Sequence, residues 1–110
     1  MSGLLPLGIE AWRVITGELR FEQVLDIREP ERFWRGHLPG ALNVPYRDVQ
    51  VRAAALLDAS RPVLVVDPGG ARAAEMAVFL RGQGLAASYL EGGLAAWTGP
   101  LERTPRAERR

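Results

Sequence analysis

The sequence predicts a single α/β domain, a parallel sheet covered on both faces by helices, and three observations carry the prediction. Short aliphatic runs alternate along the chain with stretches of helix-forming residues, the order expected of βαβ units. Residues 63–66, Val-Leu-Val-Val, are apolar at four consecutive positions, which marks a central strand buried on both faces. The length of 110 residues suits one hydrophobic core and no more.

Taken in order, residues 4–7 read as a short edge strand. Residues 9–15 read as an amphipathic helix, with Ile9, Trp12 and either Val14 or Ile15 on one side, ending near Gly17. Residues 23–27 form the next apolar strand and deliver Asp26 and Arg28 at its carboxyl end. Glu29, Pro30 and Glu31 open a short helix through Phe33 and Trp34, because proline is tolerated in a first turn and acids favour that end of the dipole. Gly36 stops it. Residues 37–45, HLPGALNVP, hold two prolines and a glycine, so a turn leads into a brief strand at 41–43. Asp48 is placed to cap a helix over 49–57 that turns Val49, Ala53, Leu56 and Leu57 inward. After the central strand, a helix over about 70–83 faces the sheet with Ala73, Ala74, Ala77, Val78 and Leu80. A last strand at 87–90, a turn at 91–93 and a helical turn at 94–97 complete a domain over 1–100. Residues 101–110 read as a flexible tail, since the stretch GPLERTPRAERR carries two prolines and alternating charges.

Composition narrows the function classes. A net charge of +1 implies no strong field toward nucleic acid or an acidic membrane. All fourteen basic residues are arginine and there is no cysteine, which removes disulfides, thiolate metal sites and thiol catalysis from this chain together. One histidine and no acidic cluster leave no metal site, and nothing calls for a cofactor. No stretch approaches the ~20 apolar residues of a membrane span, and the start MSGLLPLGIEAW lacks the pattern of a signal peptide, so the expected location is cytoplasmic.

The chemistry concentrates at residues 67–72, Asp67-Pro68-Gly69-Gly70-Ala71-Arg72, a strand end, a tight loop and a helix start. Such a junction aims backbone N–H groups and the positive end of a helix dipole at one spot, which suits an anion. With LDIREPERFWRGHLPGALNVP from Leu25 and EGGLAAW from Glu91, in this order and spacing, the chain strongly resembles the rhodanese family of sulfurtransferase domains. The resemblance implies about five mostly parallel strands. It also implies that Asp67 stands where the family holds a cysteine that carries the transferred sulfur as a persulfide, at the head of a CxxxxR loop. Here the arginine is kept as Arg72 and the nucleophile is absent. Related phosphatase domains carry one residue more in this loop, which disfavours a phosphatase reading. An aspartyl-phosphate route would also need a second carboxylate and a metal that the loop lacks.

Each residue has a bland reading beside the functional one. Asp67 caps the following helix with Pro68 at the first helical position, and it also stands in for the anionic sulfur while abolishing transfer, because a carboxylate lacks the polarisable nucleophile. A carboxylate ~4 Å from an incoming anion costs roughly 4 kcal/mol at an effective dielectric of 20. A helix N-terminus returns only about 0.3–1 kcal/mol per charge. Pro68 removes one further donor. Arg72 bridges to Asp67, to Asp26 or to another crevice carboxylate, or simply faces solvent. Gly69 and Gly70 read as backbone necessities that allow positive φ. Asp26 and Arg28 form a DxR pair tying a strand end to neighbouring loops, and His37 reads as a turn-stabilising residue bonded to backbone rather than a general base. Trp34 and Trp97 are core or rim aromatics. The resulting expectation is a cysteine-less, non-catalytic binding or regulatory module that takes a small ligand in the crevice or a protein partner in sulfur or redox metabolism. The rival is a sulfurtransferase-related enzyme that works with a partner's thiol.

Overall fold

The computed structural model describes residues 4–104. Five strands lie in one fully parallel sheet: β1 (Gly8–Ile9), β2 (Gln23–Asp26), β3 (Leu42–Asn43), β4 (Val63–Val66) and β5 (Ala87–Leu90), in the spatial order β1-β5-β4-β2-β3. Helices α1 (Ala11–Ile15), α2 (Pro30–Arg35), α3 (Val49–Leu56) and α4 (Ala71–Gly82) occupy the crossovers, with 3-10 turns at Tyr46–Asp48 and Gly93–Ala96. All four residues of β4 are completely buried. Val63 and Val65 pack with α3 and α4 on one face, and Leu64 and Val66 with Ile9, Leu38 and Leu90 on the other. A strand whose alternate side chains both meet a core has no use for polar residues, which is why the run at 63–66 is unbroken.

The first strand sits at Gly8–Ile9, one step beyond the 4–7 segment predicted, because those are the residues that find partners on β5, Gly8 opposite Tyr89 and Ile9 opposite Leu90. In α4 the buried residues are Ala73, Met76, Ala77 and Leu80. Val78, predicted to face the sheet, is 57% exposed. The stripe at i, i+3, i+4 and i+7 passes through 73, 76, 77 and 80 and leaves 78 on the outer side. Asp48 makes no capping bond at the start of α3; it ends the 3-10 turn, with its carboxylate 3.9 Å from Arg52. Leu56, the last residue of α3, is half exposed, and Leu57 packs on the core instead.

Residues 101–104, placed by the sequence in a flexible tail, pack on the domain. The amide of His37 bonds the carbonyl of Glu102 at 2.9 Å, the amide of Glu102 returns to His37 at 2.8 Å, and the amide of Thr104 donates to Trp34. Two backbone bonds to a buried histidine are enough to hold a segment whose composition alone reads as loop. The rest of the predicted tail, 105–110, lies outside the described residues.

Strands β2 and β4 are neighbours, but the chain leaves β2 toward β3 on one side and β4 toward β5 on the other. That divergence opens a crevice at the carboxyl ends of the two strands. Asp26 ends β2 and Asp67 follows β4.

Candidate functional site

The loop after β4 is closed by its own first residue. Asp67 is 3% exposed. Its Oδ1 accepts the Gly70 amide at 2.6 Å, and its Oδ2 accepts the amides of Arg72 at 3.0 Å and Ala73 at 3.1 Å. These three donors are the orphan N–H groups of a helix start, and their charge-assisted bonds satisfy both the carboxylate and the first turn of α4. Gly70 makes the turn possible with φ +105°, whereas Gly69 has no such requirement: its φ is not in the left-handed region and a Cβ there would meet nothing within 4 Å. Of the two glycines read as backbone necessities, only Gly70 is one.

The closing 3-10 turn holds the loop from its other side. The Leu94 amide donates to the Asp67 carbonyl at 2.8 Å and the Ala95 amide to Pro68 at 3.0 Å. This approach is so close that a Cβ on Gly93 would stand 2.5 Å from backbone atoms of Asp67, Pro68 and Gly69. The sequence shows Gly93 only as part of a turn; a double glycine after a strand was the available signal, but the contact itself spans 26 positions.

Among the described residues Arg72 bridges to no carboxylate. It is exposed, and its guanidinium lies 4.4 Å over the ring of Tyr46, a cation–π contact. The Tyr46 hydroxyl in turn donates to Glu75 Oε1 at 2.8 Å. Nothing in the sequence ties Tyr46 to the loop. The Glu75 hydrogen bond, aided by partial burial and the Glu75 charge and opposed by Arg72, raises the Tyr46 phenol above its ordinary value of 10.0. A raised folded value means that this contact's stabilisation is complete below the ordinary phenol pKa and is lost as pH climbs through the folded one. Tyrosinate absorbance should therefore show one phenol titrating late, and Glu75→Gln should return it to the ordinary range or below; an unchanged titration in that variant would contradict the contact.

Asp26 and Arg28 form the second fixed unit. Asp26 is completely buried, and Arg28 meets it through Nε at 3.0 and 3.2 Å, through Nη2 at 2.8 Å and through its own amide at 3.0 Å, while Nη2 also donates to the Gly36 carbonyl at 2.7 Å. Asn43, not singled out in the sequence, donates to the carbonyls of Asp26 and Arg28 and fastens β3 to the same corner. His37 is 4% exposed and stacks on Phe33 with ring centroids 4.0 Å apart. Its Nδ1 lies 2.9 Å from the Leu38 carbonyl and Nε2 lies 2.8 Å from the Thr104 hydroxyl. A carbonyl only accepts, so Nδ1 carries the hydrogen. Both ring nitrogens are used in holding the turn and the 101–104 segment.

A cavity of about 360 Å³ is lined by Val14, Phe21, Leu38, Trp97 and neighbours and holds none of the loop residues. Trp97 is thus a rim aromatic, its indole donating to the Pro100 carbonyl. Among the described residues no group of three histidines or acids is placed to hold a metal ion, and no helix is long and apolar enough to cross a membrane.

With this geometry in hand, comparison with known proteins identifies the class. The family model of the rhodanese-like domain matches residues 8–100, and the chain belongs to that family. The chain is 33% identical over 98 residues to the thiosulfate sulfurtransferase GlpE of Shewanella oneidensis, covering 88% of this chain and 95% of that protein. It is 32% identical over 84 residues to the uncharacterized protein YqhL of Bacillus subtilis, covering 76% of this chain and 66% of that protein, about two thirds of its length. Among solved structures, the rhodanese-like domain of the Alr3790 protein from Anabaena superposes with a TM-score of 0.77 at 32% identity, covering 96% of this chain and 84% of that one.

Proposed function

We propose that this chain is a rhodanese-like module without sulfur-carrier chemistry of its own, serving as a binding or regulatory domain for a protein partner in sulfur or redox metabolism. The observation that carries the reading is the Asp67 carboxylate seated on the amides of Gly70, Arg72 and Ala73. Those donors are the ones an incoming anion would need, and they are already used. A carboxylate oxygen at the head of the loop cannot accept and release a sulfane sulfur, and no cysteine elsewhere in the 110 residues can substitute. A fixed negative charge there also opposes a thiosulfate anion. In this reading Asp67 and Pro68–Arg72 form the site-like loop, while Asp26, Arg28 and His37 support the crevice walls.

The test is thiosulfate-to-cyanide transfer by the purified chain, beside Asp67→Cys and with mass spectrometry for added sulfur after incubation with donor. The natural sequence should show no turnover and no covalent sulfur. The cysteine variant should gain weak transfer, limited by Pro68. Turnover by the natural chain alone, or sulfur attached to it, would sink the reading. Turnover appearing only when a second, thiol-bearing protein is added would favour the rival enzyme, for which the name of the Shewanella relative is the support.

A further inference from the structure

A second cavity has none of the loop residues 67–72 in its lining. Of about 240 Å³, it is walled by Arg28, Arg32, Arg35, the backbone of Gly36 and the side chain of Leu101, with no carboxylate-bearing residue in its lining. We infer that this cavity binds a compact oxyanion of the phosphate or sulfate class.

Three features converge on that chemistry. Arg28 is held rigid: its side chain is 10% exposed, and Nε and Nη2 are fixed by Asp26 and the Gly36 carbonyl. Its Nη1 makes no hydrogen bond, yet among the described residues no buried side-chain nitrogen is left without a partner. Nη1 therefore reaches solvent, and Arg28 is among the residues lining this cavity. A guanidinium already oriented, with one NH₂ face free, loses little freedom on meeting an oxyanion. Next, Arg32 and Arg35 stand three positions apart on α2, on one side of the helix, exposed and in no ion pair among the described residues. Like charges at that spacing repel. The dipole of the helix end makes a cation there tolerable, but it does not explain two of them converging with a third, nor the lack of a carboxylate between them. Of the acids nearby, Asp26 is engaged with Arg28, Glu29 with Arg47 and Glu102 with the Gly40 amide, while Glu31, exposed in the first turn of α2, is not in the cavity lining. Finally, the packed 101–104 segment places Leu101, 52% exposed, beside Gly36, giving the cavity one apolar flank.

Planar guanidinium forks match the tetrahedral oxygens of phosphate and sulfate. The ligand is either the free ion or the same group on a small organic ester, whose apolar part would lie on Leu101. Titration of the isotope-labelled full chain, followed through backbone amide shifts, separates the two with inorganic phosphate and phenyl phosphate as probes. Saturable shifts centred on Gly36 and Leu101 are expected, with the dissociation constant raised about tenfold or more in the double variant Arg32→Gln, Arg35→Gln. Both replaced side chains are exposed, and thermal unfolding checks that the variant stays folded. Equal affinity for the two probes assigns the free ion; tighter phenyl phosphate binding that falls in Leu101→Ser assigns the ester. Absent saturation with either probe, or unchanged affinity in the double variant, overturns the site. Arg72→Ala, which alters the loop after β4, should leave the titration as it was, so the outcome is independent of whether the loop transfers sulfur.

Discussion

Asp67→Ala is expected to lower the stability of the domain by about 3 kcal/mol in urea denaturation, with the slope of the transition unchanged. Loss of a helix cap typically costs ~1–2 kcal/mol, and a buried donor left without a partner costs about 1–3 kcal/mol. Three amides lose their acceptor at once here, two of them in buried surroundings. The full sum is not expected, because water can enter the space the carboxylate leaves and take over part of the bonding. Asp67→Asn should fall between, since its single carbonyl oxygen can still accept but its NH₂ would face other donors. The cradle itself should survive the loss. In Asp67→Gly, added formate should raise the unfolding midpoint, as a free carboxylate seats itself on the same amides, while formamide at equal concentration should not. If Asp67→Ala unfolds at the same denaturant concentration as the parent, or if formate and formamide act alike, the carboxylate is not what organises this loop.

Gly93→Ala should be at least as damaging, at about 3–5 kcal/mol. The new methyl would lie 2.5 Å from the Asp67 carbonyl oxygen, the Gly69 nitrogen and the Pro68 carbonyl carbon, all backbone atoms that cannot swing aside like the end of a side chain. Overpacking of this kind costs about 1–3 kcal/mol and sometimes more. The left-handed φ of +60° adds a further ~1–2 kcal/mol for a residue with a Cβ. The comparison that isolates the cause is Gly69→Ala, a glycine of the same loop with open space around it and an ordinary φ, which should stay within about 0.5 kcal/mol of the parent. Relief of the clash requires the 3-10 turn to withdraw, breaking the bonds from Leu94 and Ala95 to the loop. Equal stability of Gly93→Ala and Gly69→Ala would show that the turn does not press on the loop as described.

The two variants probe one arrangement from opposite sides. Asp67 binds the loop to the start of α4, and Gly93 allows the closing turn to bind the loop to the end of β5. A loop held this way is fixed from both sides, which is the feature on which the proposed binding role rests.

Strand β4, the loop and helix α4 were legible from consecutive residues, because an unbroken aliphatic run, a Pro-Gly-Gly break and a run of good helix formers restrict the backbone locally, whatever surrounds them. The same holds for the DxR pair, whose members are two positions apart on a strand end and reach each other without help from the fold. The seat of Arg72 on Tyr46, the clasp of residues 101–104 on His37, the pressure of Gly93 on the loop and the meeting of Arg28 with Arg32 and Arg35 were not legible. Most of those contacts join residues tens of positions apart, and the arginine cluster depends on where the Asp26 carboxylate and the Gly36 carbonyl hold one guanidinium. Val78 shows the same division within a single helix: the sequence predicted a helix with Ala73, Ala77 and Leu80 toward the sheet, and packing against β4 and β5 decided the edge of that face, taking Met76 in and leaving Val78 out. Local sterics and periodicity set what each segment becomes; which side chains share a cavity depends on distances across the sheet that no stretch of sequence contains.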